Sequence, residues 1–156
     1  MSKGGSGLFQ RTIGQLASLA EDVLVVITPQ GDRMIDFDSL PGTKGIRVPK
    51  RLSDKQMEYL TKQYGVEFAQ VYELGKGKNG RGGTYRVYSG NTNSVVIPVS
   101  SKIILINHTH PGGTAYPSDK DRKLMGMLSA AGSPQITSEI VPAGRKSVKF
   151  TKKGLK

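Results

Sequence analysis

The chain has 156 residues, with 23 Lys+Arg against 12 Asp+Glu for a formal net charge of +11, and it contains neither Cys nor Trp. That length suits one domain with a sizeable core, since chains near 150 residues bury roughly two thirds of the surface they expose when unfolded. Without cysteine there is no disulfide, thiolate zinc knot or cysteine nucleophile, which leaves His, Asp and Glu as the strong metal ligands. The longest apolar runs, 23–27 and 103–106, are strand-sized and far short of the roughly 20 residues of a membrane span. A soluble protein with no membrane span is therefore expected.

Residues 1–10 begin Met-Ser-Lys-Gly-Gly-Ser-Gly, lack the apolar stretch of a signal peptide and read as a flexible leader. Residues 11–45 are expected to form an N-terminal extension. Its helix over 12–22 follows from the spacing of Ile13, Leu16, Ala17, Leu19 and Ala20, and its hairpin pairs 23–28 with 33–37 around Pro29-Gln30-Gly31-Asp32. Residues 39–51, rich in Gly, Pro and basic side chains, read as a connection. Ser53 with Gln56 three residues on is a capping-box signature, so a second helix should start there, run through Met57 and Leu60 to about Tyr64, and stop at Gly65.

The main domain is expected over 46–156. After a strand at 66–74 comes a glycine-rich loop at 75–83, then a hairpin pairing 85–88 with 95–99 around Asn91-Thr92-Asn93-Ser94. The apolar run 103–107 should be a central strand covered on both faces, ended by Pro111. Ser118 opens a third helix carrying Leu124, Met125, Met127 and Leu128, which Gly132 and Pro134 stop before a last hairpin of 135–141 and 147–151. The loop sequence Gly75-Lys-Gly77-Lys-Asn-Gly80 satisfies Gly-x-Gly-x-x-Gly, but no helix follows it, so the dinucleotide-binding context fails. A mobile basic loop near a substrate groove is expected instead.

Positive charge is concentrated beyond residue 40, in Lys76, Lys78, Arg81 and Arg86 and in a tail with Arg145, Lys146, Lys149, Lys152, Lys153 and Lys156. Such a surface suits a polyanion or an acidic protein, and equally a plain solvated face. The only two histidines, His108 and His110, stand at the mouth of the most apolar strand. Residues i and i+2 of a strand share a face, so the two imidazoles are placed to ligate one Zn²⁺, whereas an unmetallated, protonated pair would repel. A catalytic tetrahedral site needs a third ligand, for which Asp119 and Asp121 are the downstream candidates. The bland alternatives are a hydrogen-bonded turn for the histidines and an ordinary helix N-cap for Ser118 with Asp121.

His108-Thr-His110, seven residues, then Ser118-Asp-Lys-Asp121 resembles the His-x-His-x7-Ser-x-x-Asp motif of the JAMM, or MPN-plus, zinc metalloproteases, and the local string is similar to the RadC branch of that superfamily. The motif covers 14 residues, and the order of helices and strands is compatible over roughly 52–132. The resemblance implies a single α+β domain, a mixed, curved sheet flanked by helices. It implies that His108, His110 and Asp121 hold zinc and that Ser118 donates to the oxyanion. It also implies an upstream glutamate at a helix-to-strand junction as general base, for which Glu67 fits and Glu73 is the runner-up. The chain departs from the family at Gly112 and Gly113 after the first proline, and at Phe68-Ala69-Gln70 after the glutamate.

Three functions remain in view. The first is zinc-dependent hydrolysis of a peptide or isopeptide bond in an acidic protein or peptide substrate. The linker-like start and Lys-rich tail fit the toxic effector end of a larger secreted bacterial protein, delivered to a target-cell cytoplasm and met there by an acidic inhibitor or immunity protein. The second is a basic RadC-like domain that binds or cleaves nucleic acid. The third is a metal-free interaction module that keeps the motif without turnover.

Overall fold

The computed structural model describes residues 23–27, 33–37 and 40–156, which form a two-stranded and a seven-stranded sheet with two α-helices. The expected leader and first helix lie outside the described residues. β1 (Val23–Ile27) and β2 (Arg33–Phe37) pair antiparallel from Val23↔Phe37 to Ile27↔Arg33, as the hairpin signature predicts, and form a two-stranded sheet of their own.

The main sheet has seven strands. They are β3 (Ile46–Val48), β4 (Phe68–Glu73), β5 (Thr84–Ser89), β6 (Ile103–His110), β7 (Ser138–Pro142), β8 (Val148–Thr151) and β9 (Gly154–Leu155), in the order β3-β5-β4-β6-β7-β8-β9. Every neighbouring pair is antiparallel except β6–β7, which is parallel. A parallel pair requires a crossover, and the helix between those two strands supplies it. That α+β architecture, a mixed sheet with helices, is the one expected.

Helix α1 (Asp54–Tyr64) is capped by Ser53 in a reciprocal box with Gln56 and ends at Gly65 in the left-handed conformation (φ 72°), which glycine adopts without a Cβ clash. Its Met57 and Leu60 pack with Phe68, Val87 and Val141 on one face of the sheet. Helix α2 (Asp119–Ala130) packs Met125 and Leu128 with Ala69, Val71, Leu105, Ile140 and Phe150 on the other. Neighbouring residues such as Phe68 and Ala69 thus serve opposite cores, so β4, β6 and β7 are covered on both faces.

One irregularity decides which side chains face which helix. Across the β4–β6 pair, Ala69 opposes His108 and Gln70 opposes Asn107, but Val71 opposes Leu105, so Ile106 has no partner on β4. This bulge reverses the strand's alternation. Ile103 and Leu105 before it share the α2 face with His108 after it, whereas Asn107 and Thr109 turn toward α1. On the opposite, β7 edge, ahead of the start of the β6–β7 pairing, the Leu105 backbone groups are satisfied by side chains. Gln135 Oε1 accepts from Leu105 N–H at 2.8 Å, and the Ser138 hydroxyl donates to the Leu105 carbonyl at 2.8 Å.

Those bonds explain why β7 begins at Ser138 and not at 135 as the pattern suggests. Ser133 and Gln135 are used as side-chain partners of β6, with Ser133 Oγ donating to the Ile103 carbonyl at 2.7 Å. Three other expectations need correction. Residues 95–99 form no strand, because both edges of β5 are taken, by β4 and β3, and β3 itself arises inside what reads as a connection. The tail adds β9, which pairs with β8. The glycine loop closes the β4–β5 hairpin at the Glu73 end, the end of β4 remote from the histidines, with Tyr72 Oη donating to the Gly80 carbonyl at 2.6 Å.

Behind the histidine strand lies a buried polar column. Gln70 Nε2 donates to Asn107 Oδ1 at 3.2 Å, and Asn107 Nδ2 donates to Asp54 Oδ1 at 3.0 Å. Glu139 hydrogen-bonds Asp54, and its carboxyl is pushed up to about 7 by burial, that hydrogen bond and the Asp54 charge, against the pull of Arg51 and Lys149. A raised carboxyl pKa means that the fold binds the proton more tightly than the unfolded chain. Its contribution is therefore full below the unfolded value near 4.5 and is lost as pH rises through about 7. Glu139→Gln is expected to flatten the pH dependence of Tm between about 5 and 8, with its gain over wild type largest at the alkaline end; parallel Tm profiles for the two proteins would contradict this.

Candidate metal centre

β6 and the first turn of α2 bring three ligand-bearing side chains to one point. The bulge places His108 on the α2 face, His110 follows two residues on, and Asp121 is the third residue of α2. Asp121 completes a capping box, with its N–H donating to Ser118 Oγ at 3.0 Å and its Oδ2 accepting from Ser118 N–H at 2.9 Å. The helix N-terminus favours a carboxylate there and the cap fixes its rotamer. The N-cap reading and the ligand reading of Ser118 and Asp121 therefore hold together.

His108 Nε2 stands 3.2 Å from His110 Nε2 and 3.1 Å from Asp121 Oδ1, and His110 Nε2 lies 3.1 Å from Asp121 Oδ2. The two histidines face different oxygens of the Asp121 carboxylate, and the three side chains converge closely enough for one ion to be held among them. Among the described residues this is the group of three whose ligand atoms could hold a metal ion.

Protonation chemistry supports the same conclusion. His110 Nδ1 lies 2.7 Å from the Thr114 carbonyl oxygen, which only accepts, so Nδ1 carries the hydrogen. A neutral His110 would turn its Nε2 lone pair toward a carboxylate and a second imidazole nitrogen, a repulsion that either a proton on Nε2 or a bound cation relieves. The Thr114 carbonyl sets the tautomer that leaves Nε2 free to ligate, as outer hydrogen bonds do for metal-binding histidines.

Without such a cation the charges lean on one another. Burial works to raise the Asp121 carboxyl, but hydrogen bonds from His108 and His110, the His108 charge and the Ser118 N–H outweigh it and hold the group well below the usual carboxylate range. Burial works to lower His110, but its bonds to Asp121 and Thr114 and the charges of Asp121 and Glu67 shift it upward. A divalent cation would replace these protons and favour ionised carboxylates and neutral imidazoles.

Glu67 enters the same cleft from the other side. Its side chain lines the cavity shared with His108, Ser118 and Asp121, and is buried. Burial raises its carboxyl to about 7, opposed by His110 and Lys120 and reinforced by Asp121. Its position is tightly specified. Gly65 ends α1, Thr61 Oγ1 donates to the Val66 carbonyl at 2.6 Å, and Glu67 exchanges backbone bonds with Asn91 and Gly90 at 2.8 and 3.0 Å. Phe68 N–H then donates to Thr109 Oγ1 at 2.9 Å, tying the start of β4 to the histidine strand.

The remaining candidates separate cleanly. Asp119 is not with the histidines; it is exposed and pairs with Arg122. Glu73, at the far end of β4, pairs with Arg86 at 3.6 Å. Tyr116 lines the cleft beside His110 and Ser118. Asn107 and Thr109, adjacent to the histidines in sequence, face the opposite way into the α1 side, and Thr109 acts as an anchor for β4. The sequence carried no signal for the Thr114 carbonyl, because a backbone acceptor in a loop has no residue signature.

Comparison with protein-family models, with curated proteins and with solved structures finds no match to this chain. The site is thus argued from its own geometry.

Two outcomes follow. Purified protein in zinc-replete buffer is expected to bind about one zinc per chain, and His108→Ala and Asp121→Ala are each expected to lose it, by elemental mass spectrometry; full occupancy in both variants would remove the site. Thr109→Val should cost about 1–3 kcal/mol in urea unfolding, because it leaves the buried Phe68 N–H without its acceptor; a neutral effect would show that β4 does not depend on that bond.

Proposed function

We propose that the chain is a zinc-dependent hydrolase that cleaves a peptide or isopeptide bond, with the arrangement that its JAMM-like motif implies. The observation that carries this reading is the buried Glu67, which with Ser118 lines both of two adjoining clefts, one bordered by His108 and Asp121 and the other by His110. Zinc held by His108, His110 and Asp121 would supply the Lewis acid that polarises a carbonyl and acidifies water at neutral pH. Glu67 takes the proton from the attacking water and delivers it to the nitrogen of the leaving amine. A carboxylate at that position can both take up the proton and return it. Ser118 Oγ accepts from Asp121 N–H, which leaves the hydroxyl hydrogen free to donate to the oxyanion of the tetrahedral intermediate.

The net charge of +11 favours an acidic protein or peptide substrate and, in the same way, an acidic inhibitor. As the toxic effector part of a larger secreted bacterial protein, the chain should inhibit growth when expressed in bacteria, and His108→Ala should abolish that effect. The same charge supports a second reading, nucleic-acid binding, whose signature is a steep fall in affinity with salt.

The decisive variant is Glu67→Gln. With zinc content unchanged, it is expected to lower kcat on a cleaved peptide about 10²–10⁴-fold, the usual contribution of a positioned acid or base. Equal rates for the two proteins would remove Glu67 from the reaction.

A further inference from the structure

Two clefts meet at Glu67 and Ser118, and they differ in chemistry. One, of about 290 Å³, runs past His110 and is bordered by Thr92, Gly112, Thr114 and Tyr116. The other, of about 230 Å³, opens beside His108 and Asp121 and is walled by Val96, Val99, Leu105, Leu124 and Met127, with Lys120 at its margin. The apolar wall is assembled from separate parts of the chain: β6, helix α2, and the segment 95–99 that does not join the sheet.

Part of that wall faces solvent. Val96 is 62% and Met127 47% exposed, so two aliphatic side chains stand open to water at the rim of the cleft. Deeper in it, Val99 and Leu124 pack against the buried core and hold the wall in place. An apolar surface kept open next to reactive groups loses free energy to water unless something covers it. A cavity of about 150 Å³ lined by Leu, Ile and Phe is already roomy enough to take up benzene, so 230 Å³ accommodates one branched or thioether side chain.

We infer that this cleft is a side-chain subsite, and that the substrate is a peptide with an aliphatic residue, of Leu or Met size, next to the bond that faces His108 and Asp121. The inference rests on the hydrolase reading for the fate of the peptide but not for its binding. Seating a Leu side chain there in place of a Gly hydrogen should strengthen binding at least about tenfold, since full burial of such a side chain moves it out of water.

The test is a titration of the full 156-residue chain, with methionine, leucine and valine methyls labelled, by N-acetyl-leucinamide and N-acetyl-glycinamide, without metal and with zinc. The leucine compound is expected to shift the Val96, Val99, Leu124 and Met127 methyls and to bind at least about tenfold tighter than the glycine compound. Val96→Asp and Met127→Asp, both at exposed positions, should each remove that preference while leaving the folded spectrum intact. Equal binding of the two amides, or shifts confined to methyls outside this cleft, would overturn the subsite.

A peptide library incubated with the zinc-loaded protein separates this inference from the function. Cleavage with no aliphatic preference would overturn the subsite and leave the hydrolase reading standing. Selective leucinamide binding with no cleavage in the library would support the subsite and count against the hydrolase.

Discussion

The candidate site depends on one unpaired residue. An unbroken β6 would keep Leu105, Asn107 and Thr109 on one face and His108 and His110 on the other with Ile104 and Ile106. Leu105 is needed in the core under α2, so the histidines would then point toward α1, away from Asp121. Leaving Ile106 without a partner on β4 reverses the alternation, so that apolar packing and metal-ligand geometry are met on the same face. On the other edge of β6, Gln135 and Ser138 satisfy the Leu105 backbone from their side chains where β7 has not yet begun to pair.

The second constraint is that a helix cap and a metal ligand are the same carboxylate. Asp121 Oδ2 accepts from Ser118 N–H while facing His110, and Oδ1 faces His108. A side chain locked by its own helix terminus loses little further freedom when it meets an ion, which is preorganisation for metal binding. The Thr114 carbonyl does the same for His110 by choosing its tautomer. Glu67 is held through its backbone, by Gly90 and Asn91 on one side and by the neighbouring Phe68–Thr109 bond on the other, so its burial follows from the sheet and not from a partner for its charge.

Charge and apolarity are divided around the site. The site carboxylates lie within a strongly basic chain, and open aliphatic side chains stand beside them at the rim of one cleft. The glycine-rich loop, for all its basic residues, closes a hairpin at the Glu73 end of β4 and contributes nothing to this cleft.

Much of this was legible from local signals. The capping boxes at Ser53 and Ser118, the stop at Gly65, the apolar run into His108 and the His-x-His spacing are all decided within a few residues, because caps, αL stops and strand alternation are short-range effects. The motif spacing likewise put forward His108, His110 and Asp121, and the resemblance put forward Glu67 with Glu73 as runner-up. What the linear order could not carry was pairing. The strand at 46–48, the exclusion of 95–99 from the sheet and the unpaired Ile106 depend on which edges are already occupied. Choosing Asp121 over Asp119 and Glu67 over Glu73, and turning Asn107 and Thr109 away from the cleft, required the helix and strands to be docked. Residue type and spacing thus determined which groups were available for chemistry, while hydrogen-bonded pairing between distant strands decided which of them meet, because register is a property of two strands and never of one.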